Sequence, residues 1–389
     1  MQLTTLIAAL SAAGITTALP SVAPRAEDAQ DVNPFLGKNY FANSYYAGEL
    51  NQTVDAFLAR NDSLNAARTR TVQKTGSFVW VTSVAGLSNI KTTIDEARAE
   101  QRRTRKPQIV QLVLYDLPDR DCSGGQSGGE FTSANGGLEL YKKTFVDPYA
   151  AALKAAWDLT FAVIVEPDSL GNLITNQNVP FCANASSTYE QGIAYVIAKL
   201  QAPNIAFTSS RPTKPHFNHQ LAADEFAKVV AMAQNMTGTR GGAKIRGFST
   251  DVSNYNPYIA DPRANYTEYS NSYDELHYAD SLAPYLTNNS LPAHFIIDQG
   301  RSGLQNTRDT WGDWCNVRAG FGIPPTTNTN SSLVDSIVWA KPGGESDGAC
   351  GPTINGVLAP NAGLWWESYV EALVVNADPP LAPTYTKRW

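Results

Sequence analysis

Short apolar runs alternate with longer stretches of helical periodicity along the chain. The runs fall at residues 77–81, 109–116, 161–166, 204–208, 244–249, 293–298 and 337–340. Each is rich in Val, Ile, Phe, Leu or Ala and short enough for a strand buried on both faces. Helical stretches lie at 93–105, 147–158, 188–200, 222–235 and 273–286, and 363–376 follows the last run. Alternation of this kind predicts a parallel sheet with helical crossovers. Seven such strands make either a doubly wound open sheet or a closed barrel. Asp116, Glu166, Asp298 and Lys341 fall at or just past the C-terminal ends of different strands. In a barrel those ends converge on one mouth, whereas an open sheet gathers its ligand residues at one switch point. The pattern therefore favours an α/β fold built as a seven-stranded parallel (β/α) barrel.

The ends of the chain and its cysteines add a compartment. Residues 3–18 carry no charge, include Leu6-Ile7-Ala8-Ala9-Leu10 and end on the small residues Thr16-Thr17-Ala18. These features predict a signal peptide over 1–18, a flexible mature start over 19–32 and a single domain over 33–389. The leading run is too short for a membrane span, and nothing later approaches 18 apolar residues, so no membrane partner is expected. Seven Asn-x-Ser/Thr sequons, at Asn51, Asn61, Asn184, Asn235, Asn265, Asn288 and Asn330, fit a glycosylated extracellular product. The four cysteines, Cys122, Cys182, Cys315 and Cys350, allow three pairings and contain no C-x-x-C. Two structural disulfides are the expectation, and no metal or cofactor is.

Composition narrows the partners. Of 389 residues 43% are hydrophobic and 17% charged, enough for a large core and too apolar for long disorder. The net charge is −6, and the one basic block, Arg102-Arg103-Thr104-Arg105-Lys106, reads as a solvated helix end. Nucleic acid and anionic membranes are therefore not the expected partners. The 17 Tyr and 8 Trp leave room for a stacking site.

Polar residues concentrate in a few segments that follow strands. Tyr115-Asp116-Leu117-Pro118-Asp119-Arg120-Asp121-Cys122 runs into the Gly-rich stretch Ser123 to Glu130. Three carboxylates within six positions repel unless paired or partly protonated. The alternative is a solvated acidic turn with Arg120 as counter-ion. Val165-Glu166-Pro167-Asp168-Ser169-Leu170 ends a strand in Glu-Pro-Asp. Pro167 removes a donor and fixes φ, ending the strand and aiming Asp168 at the barrel mouth. An aspartic acid that keeps its proton beside an ionised neighbour is the pairing that glycoside cleavage needs. The structural alternative makes Asp168 or Ser169 the N-cap of the next helix. Two more segments are Asp298-Gln299-Gly300-Arg301-Ser302-Gly303, with Trp311-Gly312-Asp313-Trp314-Cys315 after it, and Lys341-Pro342-Gly343-Gly344-Glu345-Ser346-Asp347.

Together these blocks resemble glycoside hydrolase family 6, the cellulases of fungi and bacteria. Asn33-Pro34-Phe35 and Asn43-Ser44-Tyr45-Tyr46 resemble the family's start, and the likeness runs in order from Asn33 to Pro380. It implies a distorted seven-stranded barrel, disulfides Cys122–Cys182 and Cys315–Cys350, and inverting hydrolysis of β-1,4-glucan by a monomer. By the same resemblance Asp168 is the general acid and Asp121 the second carboxylate. Ser127 holds the water, Tyr115 distorts the ring, and Asp347 matches the proposed base. Trp80, Asn254, Trp314, Lys341 and Glu345 match sugar-contacting positions.

The chain also departs from the family. After the fourth strand, Thr208-Ser209-Ser210-Arg211-Pro212-Thr213-Lys214-Pro215-His216-Phe217-Asn218-His219 lacks the Asp, the His and both Trp that hold the leaving-group side. Trp80-Val81-Thr82 lacks another Asp. Only Gly348 and Ala349 separate Asp347 from Cys350, a clipped roof that implies a more open cleft. No carbohydrate-binding module is expected. Two rival readings follow. Gly125-Gln126-Ser127-Gly128-Gly129 fits a serine-hydrolase pattern, but Ser127 lies in a loop and not on a strand-to-helix elbow. A glucan-binding protein that kept the fold and lost its activity is the other.

Overall fold

The computed structural model describes residues 32–210, 218–237, 242–354 and 356–385. The expected signal peptide and almost all of the expected mature start lie outside the described residues, as does 211–217 of the departing loop.

The strands are β1 (Asn39–Tyr40), β2 (Val79–Val81), β3 (Gln108–Leu114), β4 (Thr160–Val165), β5 (Ile205–Ser210), β6 (Gly247–Thr250), β7 (Phe295–Asp298) and β8 (Val334–Val338). All pair in parallel. β1 and β2 lie end to end on one edge of β3, the first opposite Gln108 and Ile109, the second opposite Leu112 to Leu114. They share one position, so the eight strands among the described residues fill seven places. The order then runs from β3 through β8. The ends of the sheet meet. The Phe78 N–H donates to Trp339 O (3.0 Å), the Trp80 indole N–H to Ala340 O (2.7 Å), and the Tyr40 hydroxyl bonds Ser336 Oγ (2.7 Å). A backbone bond and side-chain contacts, with no regular ladder, close the distorted barrel.

Period-two alternation assigns the faces. Ile109, Val113, Tyr115, Ala162, Ile164, Ile296 and Val338 fill the interior with Phe35 and Phe78. Their alternates Val110, Leu112, Leu114, Phe161, Val163, Val165, Phe295 and Ile297 face the helices. Burying each such side chain stabilises the fold by roughly 1.5–3 kcal/mol.

The helices are α1 (Ser44–Ala59), α2 (Ser63–Val72), α3 (Leu87–Thr104), α4 (Gly137–Leu140), α5 (Asp147–Ala155), α6 (Ser169–Thr175), α7 (Pro180–Lys199), α8 (His219–Thr237), α9 (Glu275–Asn288) and α10 (Glu367–Val375). A π-helical stretch, Tyr141–Val146, joins α4 to α5. The predicted runs and helical stretches all find their element. α1, α2, α4, α6, the π-helical stretch and the two-residue β1 were not predicted. α1 carries the stripe Tyr46, Leu50, Val54 and Phe57, capped by the Asn43 side chain, which accepts from Tyr46 N (2.8 Å). It packs on α10 in a core of its own with Tyr369, Val370 and Leu373. α2 buries mostly Ala66, Ala67 and Thr69, which leave little hydrophobic periodicity to read. Among the described residues no helix is long and apolar enough to cross a membrane.

Of the polar residues that favoured a barrel, Asp116, Glu166 and Asp298 are spent on buried contacts at its strand ends. Asp116, Glu166, Asp298 and Lys341 are all buried. Asp298 accepts the N–H groups of Ser253 (3.2 Å), Gly300 (2.9 Å), Ala340 (2.9 Å) and Lys341 (3.0 Å). It laces together the loops after β6, β7 and β8.

Candidate active site

The loop after β3 wraps around one carboxylate. Asp121 Oδ1 accepts from Gly124 N (3.1 Å), and Oδ2 accepts from Gln126 N (2.7 Å), Ser127 N (2.7 Å) and Ser127 Oγ (3.1 Å). Gly124 is required here, since a Cβ would lie 2.4 Å from Asp121 Oδ1. The Cys122–Cys182 disulfide ties the loop to α7, and the Tyr189 hydroxyl donates to Asp119 O (2.5 Å).

Tyr115 has interior parity at the top of β3. Its hydroxyl lies 3.0 Å from Ser127 Oγ, and its ring meets Trp80 edge to face at 5.4 Å. The Arg120 guanidinium covers the other side of the ring at 4.4 Å. Arg120 also donates to Ser127 O (2.8 Å) and Thr82 O (3.1 Å), so it is a strut for the whole loop rather than a counter-ion on an open turn. Its run of neighbouring carboxylates drew attention first; its own burial was not legible. Burial, then the Asp121 charge and, more weakly, that of Asp168, push the Tyr115 hydroxyl up and keep it protonated.

Asp168 arrives from β4. Pro167 separates two residues in left-handed backbone, Glu166 (φ 43°) and Asp168 (φ 68°). Asp168 does occupy the N-cap position of α6, but its side chain makes no capping hydrogen bond, so the helix does not consume the carboxyl. Six of the twelve non-glycine residues with positive φ among the described residues, Asp119, Asp121, Glu166, Asp168, Asp251 and Ser253, lie in the loops after β3, β4 and β6. Each such residue costs about 1–3 kcal/mol, and strain of this kind gathers at functional sites.

A second acidic layer underlies these loops. Glu166 Oε1 accepts from Asp116 N (3.0 Å) and the Tyr141 hydroxyl (2.7 Å), and Asp116 Oδ1 faces Arg120 Nη1 at 3.4 Å. Burial raises Asp116 to about 8 and Glu166 to about 7. Neither reaches the mouth.

The opposite wall carries Asp347. Its Oδ1 pairs with Arg301 Nη1 (2.8 Å), and its Oδ2 accepts from the Tyr255 hydroxyl (2.6 Å) and Asn316 N (2.9 Å). Arg301, only 1% exposed, was quoted within a motif and given no role; an arginine directly after a buried strand end was its one signal. Lys341 Nζ lies 5.2 Å from the Trp80 ring and 3.8 Å from Glu345 Oε2, so three predicted sugar contacts form one group. Burial raises Glu345. Asn254 Oδ1 accepts from Arg308 Nη1 (2.8 Å). Trp314 is 41% exposed beside the Cys315–Cys350 disulfide. The loops also touch. A Cβ on Gly348 would lie 2.5 Å from Gln126 Oε1, so the Asp347 loop meets the Asp121 loop despite its short length.

Comparison with known proteins places this constellation. The pattern of Glycosyl hydrolases family 6 matches residues 35–377. A 1,4-beta-D-glucan cellobiohydrolase, CEL6B, of Podospora anserina is 49% identical over all of this chain and 93% of its own length. The solved endoglucanase CEL6B of Humicola insolens superposes with a TM-score of 0.85 at 45% identity, covering 90% of this chain and 100% of that one. The Humicola insolens cellobiohydrolase II in complex with glucose and cellotetraose superposes at 0.79 and 35% identity, covering 90% and 100%. The chain belongs to glycosyl hydrolases family 6.

Proposed function

We propose that this chain is a secreted β-1,4-glucanase that hydrolyses cellulose or soluble β-glucan with inversion, acting as a monomer. Asp168 is the general acid that protonates the leaving oxygen. Asp121, held by four hydrogen bonds, is the ionised neighbour that guides the water through Ser127. Tyr115, kept protonated beside both carboxylates, presses on the sugar ring from below. Arg301, Tyr255 and Asn316 fill three acceptor positions of Asp347, leaving one for a water as the matched base requires. An inverting pair stands about 6.5–9.5 Å apart to admit that water. Trp80, Lys341, Glu345, Asn254 and Trp314 line the path of the glucan. The leaving-group side is altered, because the stretch around 208–219 lacks the residues that relatives use there. Secretion and glycosylation are supported by the sequons, whose seven asparagines are all exposed.

The observation that carries the reading is that the loop after β3 folds Asp121 and Ser127 onto the Tyr115 hydroxyl, within a family pattern that spans residues 35–377. Release of reducing sugar from barley β-glucan and cellopentaose tests it. The wild type should release sugar and Asp168→Ala should not. A wild type that binds cellopentaose for hours without cleaving it would overturn the proposal.

A further inference from the structure

The barrel's N-terminal face, remote from the strand ends that carry Asp121 and Asp168, holds an aromatic and basic patch without a role so far. Trp157 is 79% exposed, the most exposed tryptophan among the described residues. It sits on a pinned turn. Arg98 donates twice to the Asp158 carboxylate, through Nε (2.8 Å) and Nη2 (2.6 Å), and Gln101 Nε2 donates to Asp158 O (3.2 Å). The turn beside the indole is thus fixed against α3, so a ligand meets a surface already ordered. Asp158, which follows Trp157 in the chain, also lines a cleft of about 380 Å³ with Gln101, Arg105 and Lys106, among others. Arg105 and Lys106 are exposed and make no salt bridge among the described residues. The Asp158 charge is already balanced by Arg98.

We propose that this patch binds a polysaccharide bearing uronic acid carboxylates. The flat indole face suits the apolar C–H face of a pyranose ring. Arg105 and Lys106 suit carboxylates, and the guanidinium offers them a two-pronged donor. The charge sets the choice. In a chain of net charge −6 an anionic polymer is repelled on average and held only where cations gather. A neutral glucan would gain hydrogen bonds from Arg105 and Lys106 but not the charge pairing that a carboxylate adds. The site would hold the enzyme on acidic wall polymers while the opposite face works on glucan, and it does not depend on the catalytic assignments.

Native affinity electrophoresis of the full chain tests this, with each mobility compared in gels with and without polymer. Glucuronoxylan should retard the wild type, and neutral xylan should do so at least about fivefold less. Trp157→Ala and the double variant Arg105→Gln with Lys106→Gln should each weaken retardation at least about fivefold. Both should keep the wild-type melting temperature and cellopentaose turnover. Salt at 0.5 M should remove most of the effect, since exposed charges are screened within about 4 Å there. Equal retardation by neutral xylan, no retardation by glucuronoxylan, or unchanged retardation of the variants would each overturn the proposal.

Discussion

At the scale of single residues, burial and partners separate the three aspartates. Asp168 is half-buried and makes no capping hydrogen bond to its helix. Asp168→Ala should therefore lower kcat on cellopentaose by about 10²–10⁴, the usual worth of a placed acid. The loss should shrink for a substrate whose leaving group needs no proton, and steady-state kinetics on both substrates decides it. Asp347 is different, because its carboxylate faces a guanidinium that is itself almost fully buried. Asp347→Ala strands that charge and should cost about 3–5 kcal/mol of stability. Thermal unfolding of the two variants checks the contrast. Equal melting temperatures would show that the Arg301 pair does not support the far wall. Asp121 lies between these cases: its partners are three backbone N–H groups and the Ser127 hydroxyl of its own loop, and Asp121→Asn should spare stability more than activity.

At the scale of elements, two neighbouring strands end in buried acids, Asp116 after β3 and Glu166 after β4. Both hold their protons more tightly folded than unfolded, with burial raising them to about 8 and about 7. Their contribution to stability is full below the ordinary carboxyl range near pH 4 and is lost as pH rises through 7 and 8. The melting temperature should fall from pH 5 to pH 8, and Asp116→Asn should flatten that slope. A melting temperature that climbs over this interval contradicts the assignment. The same strand ends show what was legible in the sequence. The apolar runs stood out because both faces of a parallel strand are buried. Which side a terminal polar residue faces was not legible for all of them: parity marks Asp116, whereas Glu166 shares the parity of interior Ala162 and Ile164 and turns aside at left-handed backbone, φ 43°. Ile109, Val113 and Tyr115 point inward, so Asp116 points into the wall. The grouping of Tyr115, Asp121 and Ser127 was legible as a motif, whereas Arg120 and Arg301 were not. Their role is set by burial against distant segments, and no local spacing records that.

At the scale of the whole molecule, the site is assembled from loops that the barrel alone does not hold. Two disulfides pin them, Cys122–Cys182 across 60 residues and Cys315–Cys350 across 35. Losing either should cost about 2–5 kcal/mol. Cys122 adjoins Asp121, so Cys122→Ser with Cys182→Ser should impair catalysis at temperatures where circular dichroism still reports a folded barrel. Coincident loss of activity and fold would deny the loop that separate role. The central claim is that an acid on β4 and an ionised partner on β3 cleave glucan by a single displacement with water. Proton NMR of the first sugar released from cellopentaose tests it most directly. The account predicts that the α-anomer appears first and later equilibrates to β, and that Asp168→Ala releases neither. A first product of β configuration, or unchanged release by Asp168→Ala, would contradict it.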